Sequence, residues 1–457
     1  MPIISRNFAR KKRSVKNNNF KKLNPSEIKV GFDEIIGHNE CKKDLGNILQ
    51  FLEKPELYAQ YGIIPYCKYL IIGDEGVGKS TLACSVAKKA NVPIYVVEPS
   101  FFYDTERVLD QIDILFEEIR QLQNDNCNCM LLFKNIEYFS GMPAEILHPI
   151  LEKIVSYFRE MPQLVAFATL STMVSCEISK SLLDPPAFSK LITLSFPEVK
   201  VREEILKFLL KEIPVEEGFD IHRLALETYQ MGFGDIKNIV RDSILLFMCN
   251  KQDKLSYHNF AEALAQSNFG YAKNKLNEGE RLATARHEAG HVVAGYYSAP
   301  DTYRISKVEI TPRSFYAGIT QETLDEEKVG YFKEELEAKI IGIFGGMASE
   351  EFYYNSTTTG VVNDLEQATG IAIAIFKQYG MSDKVGPICL VFESETFGKL
   401  NREADDEIQK FLKEMYDRAK ELIKKYADAL EALTNALLAN EVLYSDEIME
   451  ILRKYDK

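Results

Sequence analysis

The sequence contains no apolar run of the roughly 18–20 residues needed to cross a bilayer. The best candidates, around Ile340–Phe344 and Ile371–Phe376, read as short core stretches. A secretory signal is also missing: the N-terminus is basic, but no apolar segment follows it. The positive charge of a general nucleic-acid binder is absent too, because the net charge is −13. No cysteine framework is present. The eight cysteines, at positions 41, 67, 84, 127, 129, 176, 249 and 389, are scattered and read as reduced thiols in a cytosolic compartment. Cys127 and Cys129 form a C-x-C pair, but no second Cys or His pair lies nearby, so they read as small residues leading into a strand. Histidine is scarce, with six in 457 residues, and no internal repeat or low-complexity tract occurs.

What remains is a folded chain of two or three domains, with 46% apolar and 27% charged residues. Residues 1–29 read as a disordered basic arm; the first 22 carry eight Lys/Arg and no acid. A solvated tail is the plain reading, and attraction to an anionic membrane surface or an acidic partner is the alternative. Across 30–197, the apolar runs Tyr69–Ile72, Ile94–Val97, Met130–Phe133, Leu164–Thr169 and Leu191–Leu194 alternate with amphipathic stretches such as Val108–Gln121 and Ile146–Phe158. This alternation predicts an α/β subdomain, a parallel sheet covered by helices. Residues 198–269 read as a small helical bundle, with a turn at Gly232–Asp235 opening a helix at Ile236. A polar linker follows at 270–279. Residues 280–457 read as mainly helical apart from a β-like stretch at Ile305–Thr320, and the C-terminus ends on a helix capped at Ser445.

Two motifs carry chemistry. Gly73-Asp74-Glu75-Gly76-Val77-Gly78-Lys79-Ser80 fits the phosphate-loop pattern, between a strand and the helical run that starts at Thr81. Glycines let backbone N–H groups turn toward phosphate oxygens, and the helix N-terminus adds its positive dipole end. Lys79 is placed to reach the outer phosphates of ATP, and Ser80 to ligate Mg²⁺. Hydrolysis also calls for acids at the end of a later apolar strand. The strand at the right distance, Met130–Phe133, ends instead in Lys134-Asn135. Lys134 could bring an ammonium to the phosphates, supporting binding while blocking turnover. The out-of-register pair Glu117-Glu118 reads as the solvated face of a helix.

His287-Glu288-Ala-Gly-His291 is H-E-x-x-H in a helical apolar pattern. Residues four apart share a helix face, so both imidazoles can bind one Zn²⁺, with Glu288 placed as the catalytic base toward water. A catalytic zinc needs a third protein ligand. No third histidine has the required spacing, which leaves carboxylates. Asp364 follows Thr357-Thr-Thr-Gly-Val-Val-Asn, where capping a helix is its ordinary role, and Glu351 ends Gly345-Gly-Met-Ala-Ser-Glu, where a hydrogen bond to a ligating histidine is a fair role. Residue chemistry alone barely separates the two.

Taken together, the phosphate loop, the H-E-x-x-H helix, the Gly345–Glu351 segment and the Thr357–Thr369 segment resemble, in order and spacing, the FtsH family of AAA+ zinc proteases. The likeness runs from about Val30 to the C-terminal helices. It implies an AAA+ α/β subdomain (30–197), a helical lid (198–269) and a mainly helical protease domain (280–457) in a hexameric ring acting on protein or peptide substrates. It also implies His287, His291 and Asp364 as zinc ligands, Glu288 as the base, and residues 73–81, through Thr81, as the ATP and Mg²⁺ site. Val308–Thr311 and Ala317-Gly318 look like the edge that receives substrate by strand addition.

The chain also departs from the family. Lys134-Asn135 stands where the family has two acids, no Arg occurs at Pro186–Lys190 where its arginine fingers fall, and its sensor Asn falls near Leu170. Its aromatic pore loop falls near Asp104–Arg107, with Phe101, Phe102 and Tyr103 slightly displaced. The family's usual transmembrane anchors are not in this sequence, so it reads as a truncated or naturally soluble relative, cytoplasmic or held at a membrane by the arm or a partner. The expectation is an ATP-binding zinc endopeptidase with weak or lost ATP hydrolysis, in a homo- or hetero-hexamer. The alternative is a non-proteolytic ATP-binding scaffold or chaperone subunit of such a ring.

Overall fold

The computed structural model describes residues 20–124, 128–171, 187–271, 276–313, 317–322, 330–390 and 398–456. Residues 1–19 of the basic arm, Cys127, Cys176, Pro186 and residues 272–275 of the linker lie outside them. The chain forms two compact units, residues 1–212 with 230–238, and residues 213–229 with 239–457.

The first unit contains strand β1 (Phe20–Leu23), helices α1 (Asn39–Glu53) and α2 (Pro55–Gln60), strand β2 (Lys68–Gly73), helix α3 (Lys79–Lys89), strand β3 (Ile94–Val97) and helix α4 (Val108–Asn124). Strand β4 (Met130–Phe133), helix α5 (Ala144–Glu160), strands β5 (Val165–Leu170) and β6 (Lys190–Leu194), and helix α6 (Val199–Leu209) complete it. The sheet order is β1-β3-β4-β5-β2-β6, with every pair parallel except β1 on β3. All residues of β3, β4 and β5 are buried, as continuous apolar strands must be when helices cover both faces. One face packs Leu45, Ile48, Leu82 and Val86, and the other packs Ile112, Phe116, Ile150 and Phe158.

Two details differ from expectation. Residues 20–23 were expected in the disordered arm, but they form β1 and cap the outer edge of β3, with Phe20 packed on Tyr95 and Phe101. An open edge strand exposes unpaired N–H and C=O groups, which explains why the chain folds back there. Phe101 and Phe102, expected near a pore loop, are core residues, and only Tyr103 is exposed, packed against Tyr138.

The second unit holds helices α7 (Ile221–Glu227), most of α8 (Phe233–Cys249), α9 (Tyr257–Phe269) and α10 (Glu278–Ser298), then strands β7 (Ile305–Glu309) and β8 (Ile319–Glu322). Helices α11 (Lys333–Tyr354), α12 (Val362–Ile373), α13 (Gly398–Lys425) and α14 (Ala427–Asn440) follow, and strand β9 (Val442–Tyr444) and helix α15 (Ser445–Arg453) end it. Among the described residues, no helix is long and apolar enough to cross a membrane. Arg313 is enclosed by Glu309 and Glu262 and ties the end of β7 to α9. The small sheet has the order β8-β7-β9. The stretch Val308–Thr311 is therefore not an edge: β7 is paired on both sides, and the outer strands are β9 and, just after Ala317-Gly318, β8.

Helices α10 and α11 run antiparallel in direct backbone contact. A Cβ on Gly345 would lie 2.2 Å from the Gly290 carbonyl oxygen, and one on Gly290 would lie 2.4 Å from that of Gly345. One turn further, a Cβ on Gly342 would meet the Gly295 backbone at 3.1 Å. Glycine is required here for closeness of approach rather than for an unusual φ. Gly345→Ala is expected to destabilise the protein by about 1–3 kcal/mol, as overpacking does, seen as a lower thermal midpoint.

Candidate active site

Two turns of α10 place His287 and His291 on one face, with their Nε2 atoms 3.0 Å apart. Asp364, in the first turn of α12, brings Oδ2 to 3.3 Å from His287 Nε2 and 3.5 Å from His291 Nε2. This is the group of potential metal-ligating side chains found among the described residues. Ligands at about 2.0–2.1 Å around a tetrahedral zinc stand about 3.3 Å from one another, so the three separations match such a site.

A further observation comes from the carboxylate itself. Asp364 Oδ2 is buried and receives no well-directed hydrogen bond, and Asp364 does not cap its helix, because the preceding short turn is capped by Thr358. A buried carboxylate oxygen left this way is costly unless a cation completes it.

Each imidazole is oriented from behind. His287 Nδ1 donates to Glu350 Oε1 at 2.9 Å, and His291 Nδ1 to the Gly342 carbonyl at 3.0 Å. The Gly346 N–H lies 3.3 Å from the same His291 nitrogen, but the shorter carbonyl contact sets that nitrogen as a donor. Both Nε2 lone pairs are then free to face the metal position. Glu350 is held in turn by the Thr358 N–H at 2.5 Å and its hydroxyl at 3.1 Å. Gly346 faces the rings: a Cβ there would lie 2.6 Å from His291 Nε2 and 2.7 Å from that of His287.

The site's electrostatics favour a cation. Burial works against a charged His287, but Asp364 and Glu350, with Glu288 nearby, outweigh it and hold its pKa up to about 10. Glu350 is also buried, yet its bonds to His287 and Thr358 keep its own pKa below the usual range. Metal and proton therefore compete for one place on His287.

Glu288, 6% exposed, lies beside the ligands, with Oε2 accepting the Thr320 hydroxyl of β8 at 2.7 Å. Gly318 packs close against it: an added Cβ there would come within 2.8 Å of Glu288 Oε1 and 2.7 Å of Thr284 Cγ2. The candidate base thus sits against an outer strand of the sheet.

Glu351 does not take part. It accepts the Tyr416 hydroxyl and lies 3.8 Å from Lys420, facing α13. The histidine-orienting role belongs to Glu350, which sequence reasoning missed by one position. Its signal was present: Gly342, Gly346 and Glu350 are spaced four apart and line one helix face.

In the first unit, the phosphate loop lies between β2 and α3. Gly76 and Gly78 have φ of 80° and 96°, a region glycine enters freely. Lys79 Nζ donates to the carbonyls of Gly73 at 2.6 Å and Asp74 at 2.7 Å, and burial lowers its pKa. Ser80 and Thr81 open α3, whose N-terminus faces the loop. Gly73 through Thr81 therefore form a cradle suited to the phosphates of ATP with Mg²⁺. Around it stand His38, which sequence reasoning did not single out, and the turn Gly232–Asp235, which it read only as a helix start. His38 Nε2 is 3.1 Å from the Val77 carbonyl, and Asp235 and Gly232 pack against Gly76.

The strand-end corner differs from its sequence reading. Lys134 does not direct its ammonium to the loop; it pairs with Glu98 at 2.8 Å. Asn135 adopts φ 51°, and its N–H bonds to Thr169 Oγ1 at 2.9 Å. Glu117 pairs with Arg120 on the exposed side of α4, as a solvated face would.

Peptide hydrolysis is the reaction this donor set serves, so the class is a metallopeptidase that carries its own phosphate-loop module. The model of peptidase family M41 matches residues 274–451. The chain is 31% identical to the ATP-dependent zinc metalloprotease FtsH of Pseudothermotoga lettingae, over 94% of this chain and 72% of that protein. It is 30% identical to ATP-dependent zinc metalloprotease FtsH 4 of Sphaerobacter thermophilus, over 93% and 67%. The chain belongs to the FtsH family of ATP-dependent zinc metalloproteases.

Glu350→Gln is expected to weaken zinc binding about 10- to 100-fold in competition with a chromogenic chelator, while Glu351→Gln leaves it unchanged. Because His287 holds a proton at neutral pH without metal, zinc uptake should expel about one proton. Calorimetry in buffers of differing ionisation heat measures it; uptake without proton release would contradict the raised pKa.

Proposed function

We propose that this chain cuts proteins or peptides at His287, His291 and Asp364, with Glu288 as base, and binds ATP at residues 73–81 with weak or lost hydrolysis. The observation that carries the first part is the meeting of Asp364 with the Nε2 atoms of His287 and His291, 77 and 73 residues away in sequence on a separate helix. That convergence favours a peptidase over a non-proteolytic scaffold.

A zinc ion held there supplies Lewis acidity toward water and the peptide carbonyl. The protein supplies the rest. Asp364 and the imidazoles hold the ion, and Glu350 and the Gly342 carbonyl fix the ring orientations. Glu288 accepts a proton from the attacking water through the oxygen not bonded to Thr320, and then delivers it to the departing amine. The outer strand β8 offers backbone groups to an extended substrate beside that carboxylate.

Weak turnover is supported by Lys134 and Asn135 at the end of β4: a lysine cannot hold Mg²⁺, and an asparagine cannot take a proton from water. Binding of ATP then serves assembly of a ring, of one kind of subunit or two. Association with a membrane, through the basic arm or through a partner, is part of the same reading. The domains proposed are a basic arm (1–29), an α/β subdomain (30–197), a lid (198–269), a linker (270–279) and a protease domain (280–457).

Glu288→Gln is expected to abolish cleavage of an unfolded protein such as casein while about one zinc per chain is retained. Zinc-free protein from a chelator-free preparation would remove the peptidase reading. Gly318→Val, which crowds Glu288 and displaces its carboxylate, should cut cleavage of the same substrate at least tenfold with zinc content unchanged.

A further inference from the structure

With both expected acids replaced at the end of β4, a carboxylate reaches the phosphate loop from another position. Glu137 lies on the short turn Ile136–Gly141 that follows Asn135. Asn135 is in the left-handed conformation, which bends the chain sharply as it leaves β4. The bend turns Glu137 across the C-terminal ends of the central strands, where its Oε2 accepts the Ser171 N–H at 3.4 Å.

The sheet register locates that contact. Ile72 of β2 pairs with Leu170 of β5, so Ser171 stands beside Gly73, the first residue of the loop. The Gly73 carbonyl in turn accepts Lys79 Nζ at 2.6 Å. One short path thus joins the Glu137 carboxylate, Ser171, Gly73 and the Lys79 ammonium. The electrostatics agree: among the charges acting on Lys79, Glu137 contributes the largest attraction, ahead of Asp74 and Glu75 within the loop itself.

We infer that Glu137 is the positioning residue that faces the Mg²⁺ of bound nucleotide in this chain, replacing the acids missing at Lys134 and Asn135. This rests on the proposed nucleotide site. It assigns to Glu137 the acidic side chain that, with Ser80, would hold the metal by way of water, since Mg²⁺ keeps several waters when a protein binds it. The hydrogen bond to Ser171 orients the carboxylate, and Asn135, held to Thr169, sets the bend that presents it. Lys134 is kept out of the corner by its pairing with Glu98.

The test measures affinity for a fluorescent ATP analogue with Mg²⁺ and with chelator, in the full chain and in its Glu137→Gln and Lys79→Ala variants. Glu137→Gln is expected to reduce the Mg²⁺-dependent gain in affinity about tenfold, as loss of one charge-assisted contact does, without weakening metal-free binding, since it removes a negative charge beside the Lys79 ammonium. Glu137→Asp should restore part of the gain. Metal-free nucleotide binding no weaker than the parent's shows that the first unit of the variant is folded. An unaltered Mg²⁺ dependence in Glu137→Gln, with Lys79→Ala impaired, overturns this inference and leaves the nucleotide site standing. A parent chain that binds no nucleotide overturns both.

Discussion

The contact between the backbones of α10 and α11 at Gly290 and Gly345 is the constraint on which the metal centre depends. A side chain at either position would push the helices apart. Their present separation lets the Gly342 carbonyl and the Glu350 carboxylate reach the back of two imidazoles on the facing helix. It also leaves the space over Gly346 that the ring nitrogens use. The centre is thus assembled from helix packing. Asp364 joins it from the first turn of a third helix, and Thr358, just before that helix, ties it to Glu350.

The two units solve different problems. In the second, buried carboxylates gather around a histidine and create a demand for positive charge, which a divalent ion meets. In the first, glycines and a helix N-terminus gather N–H groups and a lysine and create a demand for negative charge, which phosphates meet. The departures from the family pattern fall in the first unit. The β4 corner has lost its strand-end acids, while the geometry that presents the phosphate loop is kept.

Several particulars show how far the linear pattern carried. The strands Ile94–Val97 and Met130–Phe133 were legible to the residue, because strands buried on both faces are continuous apolar runs between breakers. The imidazole pair was legible from its i, i+4 spacing. Glu350 was not separated from Glu351, because adjacent helical residues differ by about 100° in direction and only the packed partner shows which of them points inward. The central place of β7 was hidden for a similar reason: its second neighbour, β9, comes more than 130 residues later. The edge strand β1 was missed because it has only four residues at the end of a basic stretch, and the sheet edge and the aromatic side chains that receive it lie more than 70 residues away in sequence.

By itself, the sequence determined the element types and the two local motifs, since helix periodicity, strand burial and loop glycines act over a few residues. It also determined which acids are absent from the end of β4. Tertiary structure alone decided which carboxylate turns toward the imidazoles, which supports them from behind, and where Glu137 points. Those outcomes depend on contacts between segments far apart in the chain, and a carboxylate's role is set by what the fold brings within about 3 Å of it.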